Sequence, residues 1–401
     1  MRSTERSIPW SVWRLMVAYA LMMAGVTLMV LIAGIIGTDF APTAGLATLP
    51  IALSVVGLAC STLPTGKLLQ RFGRRPVFLA YGLVAMGSAA LAAAGLVLDS
   101  FAVFCLAAFA MGWAGATGHQ YRFAALELVP AEVAPKATSA LLLGGILAAF
   151  IGPELAVAGR FLMPTEFAGS FILLVGSYAV GLATIFFYRE LPMPEAAGQA
   201  AGRPMREILR SPMLLLAIAA AALGYGVMTF LMTATPISMH KHAGHSLEAT
   251  KYVIQSHITA MYLPALIYAW LVGKIGYRGM LWAGIGVYLL TLAVAAWNTQ
   301  FIHFWLAMVL LGVGWNFLFL SGTNMLPSGY RPAERFRVQS VNDFLVFSAQ
   351  AVASLASGWV LYRSGWEGVI WVCTVPVAIF VLVLWLARKR RFSTVPAEQS
   401  L

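Results

Sequence analysis

Two motifs in this chain place soft metal donors at helical spacing: Met228-Thr-Phe-Leu-Met232 and His257-Ile-Thr-Ala-Met261. Residues four apart share one face of a helix, so each motif aims two side chains in one direction. Thioethers with a neutral imidazole suit Cu(I), whereas magnesium prefers oxygen ligands and structural zinc prefers thiolates. Neutral ligands also leave the ion exchangeable, as a carrier requires. Between the motifs lies Met239-His240-Lys241-His242-Ala243-Gly244-His245, which holds three of the chain's six histidines. The residue types suit an outer metal-capture site formed by Met239, His240, His242 and His245. Each feature also has a plain structural account, since methionine fills irregular cores and an intramembrane histidine often only bonds between helices. Their coincidence in successive elements favours metal.

Few other polar groups sit in apolar stretches. Arg122 and Asp343 each fall about 6–8 Å from the inner surface at 1.5 Å per residue, which suggests an ion pair at an inner gate. Snorkelling of Arg122, or pairing with Glu127, is the competing account. His119 lies one turn from Arg122, and Glu154 follows Pro153 as an expected acceptor at a helix break. No H-E-x-x-H occurs, so no enzyme is expected and no prosthetic group is called for. Cys60, Cys105 and Cys373 are too scattered for a disulfide framework or a zinc site.

The elements that must position these groups follow from composition. Of 401 residues, 60% are hydrophobic and 10% charged, with a mean hydropathy of +0.83. Ordinary soluble domains carry about 25% charged residues, so this chain lacks the polar surface for water and calls for a lipid bilayer. Twelve apolar segments fall roughly at 12–36, 44–65, 77–97, 101–126, 138–160, 167–188, 212–238, 250–272, 279–297, 302–326, 338–361 and 366–387. Each approaches the ~20 residues that cross a membrane as a helix. With the N-terminus inside, 21 of the 26 lysines and arginines fall on the inner side. That bias puts both termini in the cytoplasm. It also accounts for the net charge of +11 without nucleic acid.

The fold class expected is therefore an all-α membrane protein of twelve helices in two pseudo-symmetric six-helix bundles. The bundles are 1–188 and 212–387, joined by a Pro/Gly/Ala-rich cytoplasmic linker at 189–211 and followed by a tail at 388–401. A worn internal repeat supports this: Gly73 and Arg75 correspond to Gly276 and Arg278, and Lys136-Ala-Thr-Ser to Arg337-Val-Gln-Ser. Paired halves of this kind rock about a central site. Depths can be compared too. At 1.5 Å per residue, Met232 lies about 9 Å and Met228 about 15 Å below the outer surface. His257 lies about 10 Å and Met261 about 16 Å down. The four side chains are thus expected to meet between spans seven and eight.

Gly66-Lys-Leu-Leu-Gln-Arg71-Phe-Gly73-Arg74-Arg75-Pro resembles the loop between helices two and three of the major facilitator superfamily, G-x-L-a-D-R-x-G-R-R. Gly66, Leu68, Arg71, Gly73, Arg74 and Arg75 match, which implies a gating role for this loop. Gln70 stands where the family has an acid. The M-x-x-x-M and H-x-x-x-M pair further resembles the CcoA-like copper importers that supply cytochrome oxidase assembly. That resemblance implies a copper carrier of the cytoplasmic (inner) membrane with Met228, Met232, His257 and Met261 as its metal site. It also implies a copper-accepting chaperone or oxidase assembly factors as partners. The alternative is an organic-solute carrier for riboflavin or a drug, because 12 Trp, 13 Tyr and 23 Phe supply ample surface for a planar ligand.

Overall fold

The computed structural model describes residues 8–129, 134–188, 203–331 and 334–387, and every long element among them is a helix. Spans one to three are Trp10–Phe40, Leu49–Phe72 and Arg74–Val97. Span four is broken, Phe101–Gly115 followed by Gly118–Glu127, and spans five and six are Ala134–Ala158 and Ala168–Phe186. Span seven is Pro212–Ile237, closed by a π-helical turn Ser238–His242. Span eight is Leu247–Tyr262 and resumes at Ala265; span nine leads to Trp297, and span ten is Phe301–Met325. Spans eleven and twelve share the rod Arg335–Ala387.

Eight of these helical runs are long and apolar enough to cross a membrane by themselves. The run Arg337–Leu386 has 50 residues, over twice one crossing, and leaves helical geometry at Gly365 (φ 63°), so it holds two spans. Spans four, five and eight, which are broken or short in their apolar part, bring the total to twelve. The internal repeat is visible in the backbone. Gly73 (φ 80°, ψ 176°) and Gly276 (φ 66°, ψ 171°) take nearly the same conformation between consecutive spans. That region is open to glycine and closed to side chains, so the motif glycine is required in both halves.

Local signals set the helix starts near the expected site. Ser211 accepts from the Leu214 N–H and Pro212 opens span seven, while Ser246 accepts from the Ala249 N–H with Glu248 in the first turn of span eight. In the first half, span one packs on span five, span two on four, and span three on four and six. In the second, span seven packs on the rod of spans eleven and twelve, and span ten packs on seven, eight and nine. Three pairs carry most of the contact between halves: one with seven, two with eleven, and five with eight.

Small residues allow the close approaches. A Cβ on Gly112 would lie 1.7 Å from the Ser54 carbonyl oxygen, so spans two and four must separate to admit one. Gly112→Ala is therefore expected to destabilise by about 1–3 kcal/mol through overpacking. A Cβ on Gly115 would meet nothing within 4 Å, and Gly115→Ala should leave stability nearly unchanged. Thermal unfolding of both variants in detergent checks the contrast.

Candidate functional site

The four expected ligands are all buried. Thr235 of span seven donates to the Met308 sulfur of span ten at 3.4 Å, and the His257 ring reaches the Met308 carbonyl from span eight at 2.7 Å. One turn deeper, Gly312 lies against the His257 carbonyl and the Met261 N–H. Met308 thus brings Thr235 and His257 to one level, with Met261 one turn deeper. What differs is the neighbour. Spans seven and eight do not pack along each other; span ten lies between and touches both. Chain order made them look adjacent, but a helix's packing partners are set by its apolar faces.

The His257 contact fixes the ring's chemistry. A carbonyl oxygen can only accept, so Nδ1 carries the proton and donates to Met308. Nε2 keeps its lone pair, is buried, and has no partner among the described residues. A backbone carbonyl behind one nitrogen and a free lone pair on the other is the arrangement metal-ligating histidines adopt. Among the described residues, however, no three His, Cys, Asp or Glu side chains are gathered into a metal-binding group.

The residues of the outer loop have structural contacts of their own. Met239 has no exposed surface, because the π-helical turn continues span seven and carries it into the core. The His240 ring bonds the His245 carbonyl at 2.9 Å, and the His245 ring bonds the Thr299 carbonyl at 2.9 Å. His242 alone of the three is exposed. Two of the three histidines thus fasten the loop to itself and to the turn before span ten.

The loop after span two is clasped within its own half. Arg74 donates to the Gln120 side-chain oxygen at 3.4 Å, and Arg75 donates to the Phe186 carbonyl at 2.7 Å with its guanidinium 5.2 Å from the Phe186 ring centre. Arg71 lies over the Phe72 ring, and Gly66 is open to its surroundings. Asp343 accepts from the Asn342 amide at 3.0 Å. The side chains of Arg122, His119, Glu127, Gln70 and Lys136 lie outside the described residues, and so does the expected pair of Arg122 with Asp343. Glu154 is not a helix-break acceptor: it accepts from Lys251 at 3.1 Å and from Gln255 at 3.2 Å, both on span eight.

One cluster escaped the sequence reading. Tyr225 of span seven stands edge-on to Trp315 (5.2 Å) and Phe319 (5.0 Å) of span ten and to Phe347 (6.1 Å) of span eleven. Trp315 and Phe319 stack at 4.9 Å, 14° from parallel. Leu58 and Ala59 of span two pack against the small cluster that includes Phe347, so this edge of the rings lies where the halves meet, while Trp315 belongs to the main core. On spans ten and eleven, Trp315 Nε1, Asn316 Oδ1 and Gln350 Oε1 are buried without partners among the described residues. The sequence signal was Trp315 and Phe319 four apart in mid-span, which ordinary core packing would equally produce.

Comparison with known proteins settles the family. The model of the Major Facilitator Superfamily matches residues 15–263 and 256–401. The chain belongs to the major facilitator superfamily. It is 35% identical over 379 residues to the riboflavin transporter RfnT of Brucella anthropi, covering 94% of this chain and 95% of that one. It is 30% identical over 382 residues to YdeG of Bacillus subtilis, an uncharacterised transporter of the same type, covering 89% and 87%. Among solved structures it resembles the nucleoside transporter NupG, with a TM-score of 0.75, 13% identity, and coverage of 95% and 100%. A bacterial homologue of the lysosomal transporter Spinster, solved inward-facing and unoccupied, gives 0.71 at 15% identity, covering 96% and 98%. The chain is thus a membrane transporter of this superfamily, built on its fold.

Proposed function

We propose that this chain is a secondary carrier for a planar heteroaromatic solute of the riboflavin class, working by alternating access. The observation that carries the reading is the ring cluster of Tyr225, Trp315, Phe319 and Phe347 at the junction of the halves. Flat ligands gain from offset and edge-on ring contacts, and the buried Trp315 indole N–H, without a partner among the described residues, is suited to donate to such a ligand. The relative from Brucella anthropi, matched almost end to end, supports the same class. The membrane would be the cytoplasmic one with both termini inside, on the strength of the lysine and arginine bias. Uptake of labelled riboflavin by cells that cannot make or import it tests the reading. No saturable uptake above the empty-vector level would sink it.

A second reading, copper import, rests on one observation: the buried His257 with its Nε2 lone pair directed away from the Met308 bond. In that case Met228→Leu and Met261→Leu, nearly volume-conserving at under about 1.5 kcal/mol, should abolish radiocopper accumulation with expression intact. Riboflavin uptake should survive both changes. Measuring the two cargoes in one set of strains separates the readings, and copper-accepting partners follow only from the second.

A further inference from the structure

The outer ends of the two halves are tied at each of their three contacts. At spans one and seven, the Lys241 ammonium lies 2.8 and 2.6 Å from the two Asp39 carboxylate oxygens. At spans two and eleven, Thr48 presses so close to Gly358 that a Cβ there would sit 2.1 Å from the Thr48 hydroxyl. At spans five and eight, Glu154 accepts from Lys251 and from Gln255. The third tie differs in kind from the first. Asp39 is largely in solvent and Lys241 about one-third exposed, and such a surface pair contributes little. Lys251 is buried, 5% exposed, and its ammonium is held by Glu154 at 3.0 Å and by Glu248 of its own helix at 2.7 Å.

We propose that Lys251 is the pivot of an outer latch: with Glu154 it holds the mouth shut, and Glu248 shelters the ammonium when the halves part. A buried ammonium stripped of every carboxylate would be costly, and would make opening rare. Glu248 moves with Lys251 because both ride span eight, so opening exchanges two carboxylates for one instead of for none. Glu154 is half exposed and can pass into water as span five swings away. The latch is therefore closed firmly enough to seal, and its release leaves no orphan charge. The other groups facing Lys251 are Gln255, which stays on span eight, and the Tyr252 ring 5.3 Å away, which adds an attraction unchanged by opening.

The two carboxylates then have opposite effects, which a merely structural cluster would not produce. The reporter is Ile36→Cys, a buried position near the outer end of span one, in a chain freed of Cys60, Cys105 and Cys373. It is labelled in intact cells with a membrane-impermeant maleimide. Glu154→Gln is expected to raise the labelling rate at least about fivefold by shifting the population toward the open mouth. Glu248→Gln leaves Glu154 as the sole carboxylate on Lys251 and is expected to lower the rate below that of the parent. The swap Glu154→Lys with Lys251→Glu should return labelling toward the parent, and monodisperse elution in detergent verifies folding for each variant. Equal rises with Glu154→Gln and Glu248→Gln, or no rise with Glu154→Gln in a folded protein, would overturn the latch. The readout needs no substrate, so it fails or stands independently of the riboflavin reading.

Discussion

Replacing Trp315 by leucine is expected to cut riboflavin uptake at low concentration by about fivefold or more, mostly by raising KM. A stacked aromatic is worth about 1–3 kcal/mol against a flat heterocycle, and 1.4 kcal/mol is a factor of ten. Trp315 is the ring best placed to show it, because it contacts Tyr225 and Phe319 together. Tyr225→Leu should act in the same direction, since three of the cluster's ring contacts pass through Tyr225. Trp315→Phe separates ring from donor. The indole N–H has no partner among the described residues, so its removal should cost the empty protein little. A rise in KM with Trp315→Phe at unchanged thermal stability would mean that the N–H donates to the cargo. Uptake at the wild-type rate with Trp315→Leu would show that the cargo binds elsewhere, and would turn attention to His257.

The helices were legible because a bilayer leaves the chain little choice: every buried backbone polar group must be satisfied within its own helix, and apolar runs of the right length reveal where. The repeat was legible for a related reason. Gly73 and Gly276 need a backbone conformation that only glycine tolerates, so the residue persists where its surroundings have drifted. Packing neighbours were not legible. Nothing in the order of spans seven and eight reveals that span ten stands between them, and the Met/His motifs are compatible with either arrangement. Nor was Met239's burial, which depends on a π-helical turn that no periodicity announces. The latch residues were visible only as isolated outer charges, because the partners lie 97 and 202 positions apart in the chain. The ring cluster was hidden by abundance: with 48 aromatic residues, the few that meet between the halves do not stand out until the fold selects them.

The last expected result concerns the far end of the linker, where Arg203 is fastened to the turn before span eleven. Glu334 is buried there, and its two carboxylate oxygens accept four bonds: from the Arg203 Nε (2.8 Å), Nη2 (2.8 Å) and backbone N–H (2.9 Å), and from the Arg331 N–H (2.9 Å). The Arg203 guanidinium, aided by the two backbone donors, outweighs the opposing effect of burial and lowers the Glu334 pKa to about 2. A carboxyl whose folded value lies below its unfolded one stabilises the fold fully above the ordinary carboxylate range. That stability is lost as the pH falls through that range toward about 2. The loss amounts to about 3 kcal/mol over the interval. Glu334→Gln keeps the shape but turns an NH2 group toward donors, leaving two of the four bonds unmade. It should cost about 3 kcal/mol, the lower end for a broken buried pair, because Arg203 is 27% exposed and can turn to water. Span eleven carries Phe347 of the ring cluster, so a loosened turn at its start should also blunt coupling between linker and site. Unfolding in detergent from pH 6 to pH 3 should show a steep loss of stability for the wild type and a shallower one for Glu334→Gln. Trypsin should also cut the variant faster at Arg206. Parallel pH profiles for the two proteins would show that this carboxylate does not hold the linker.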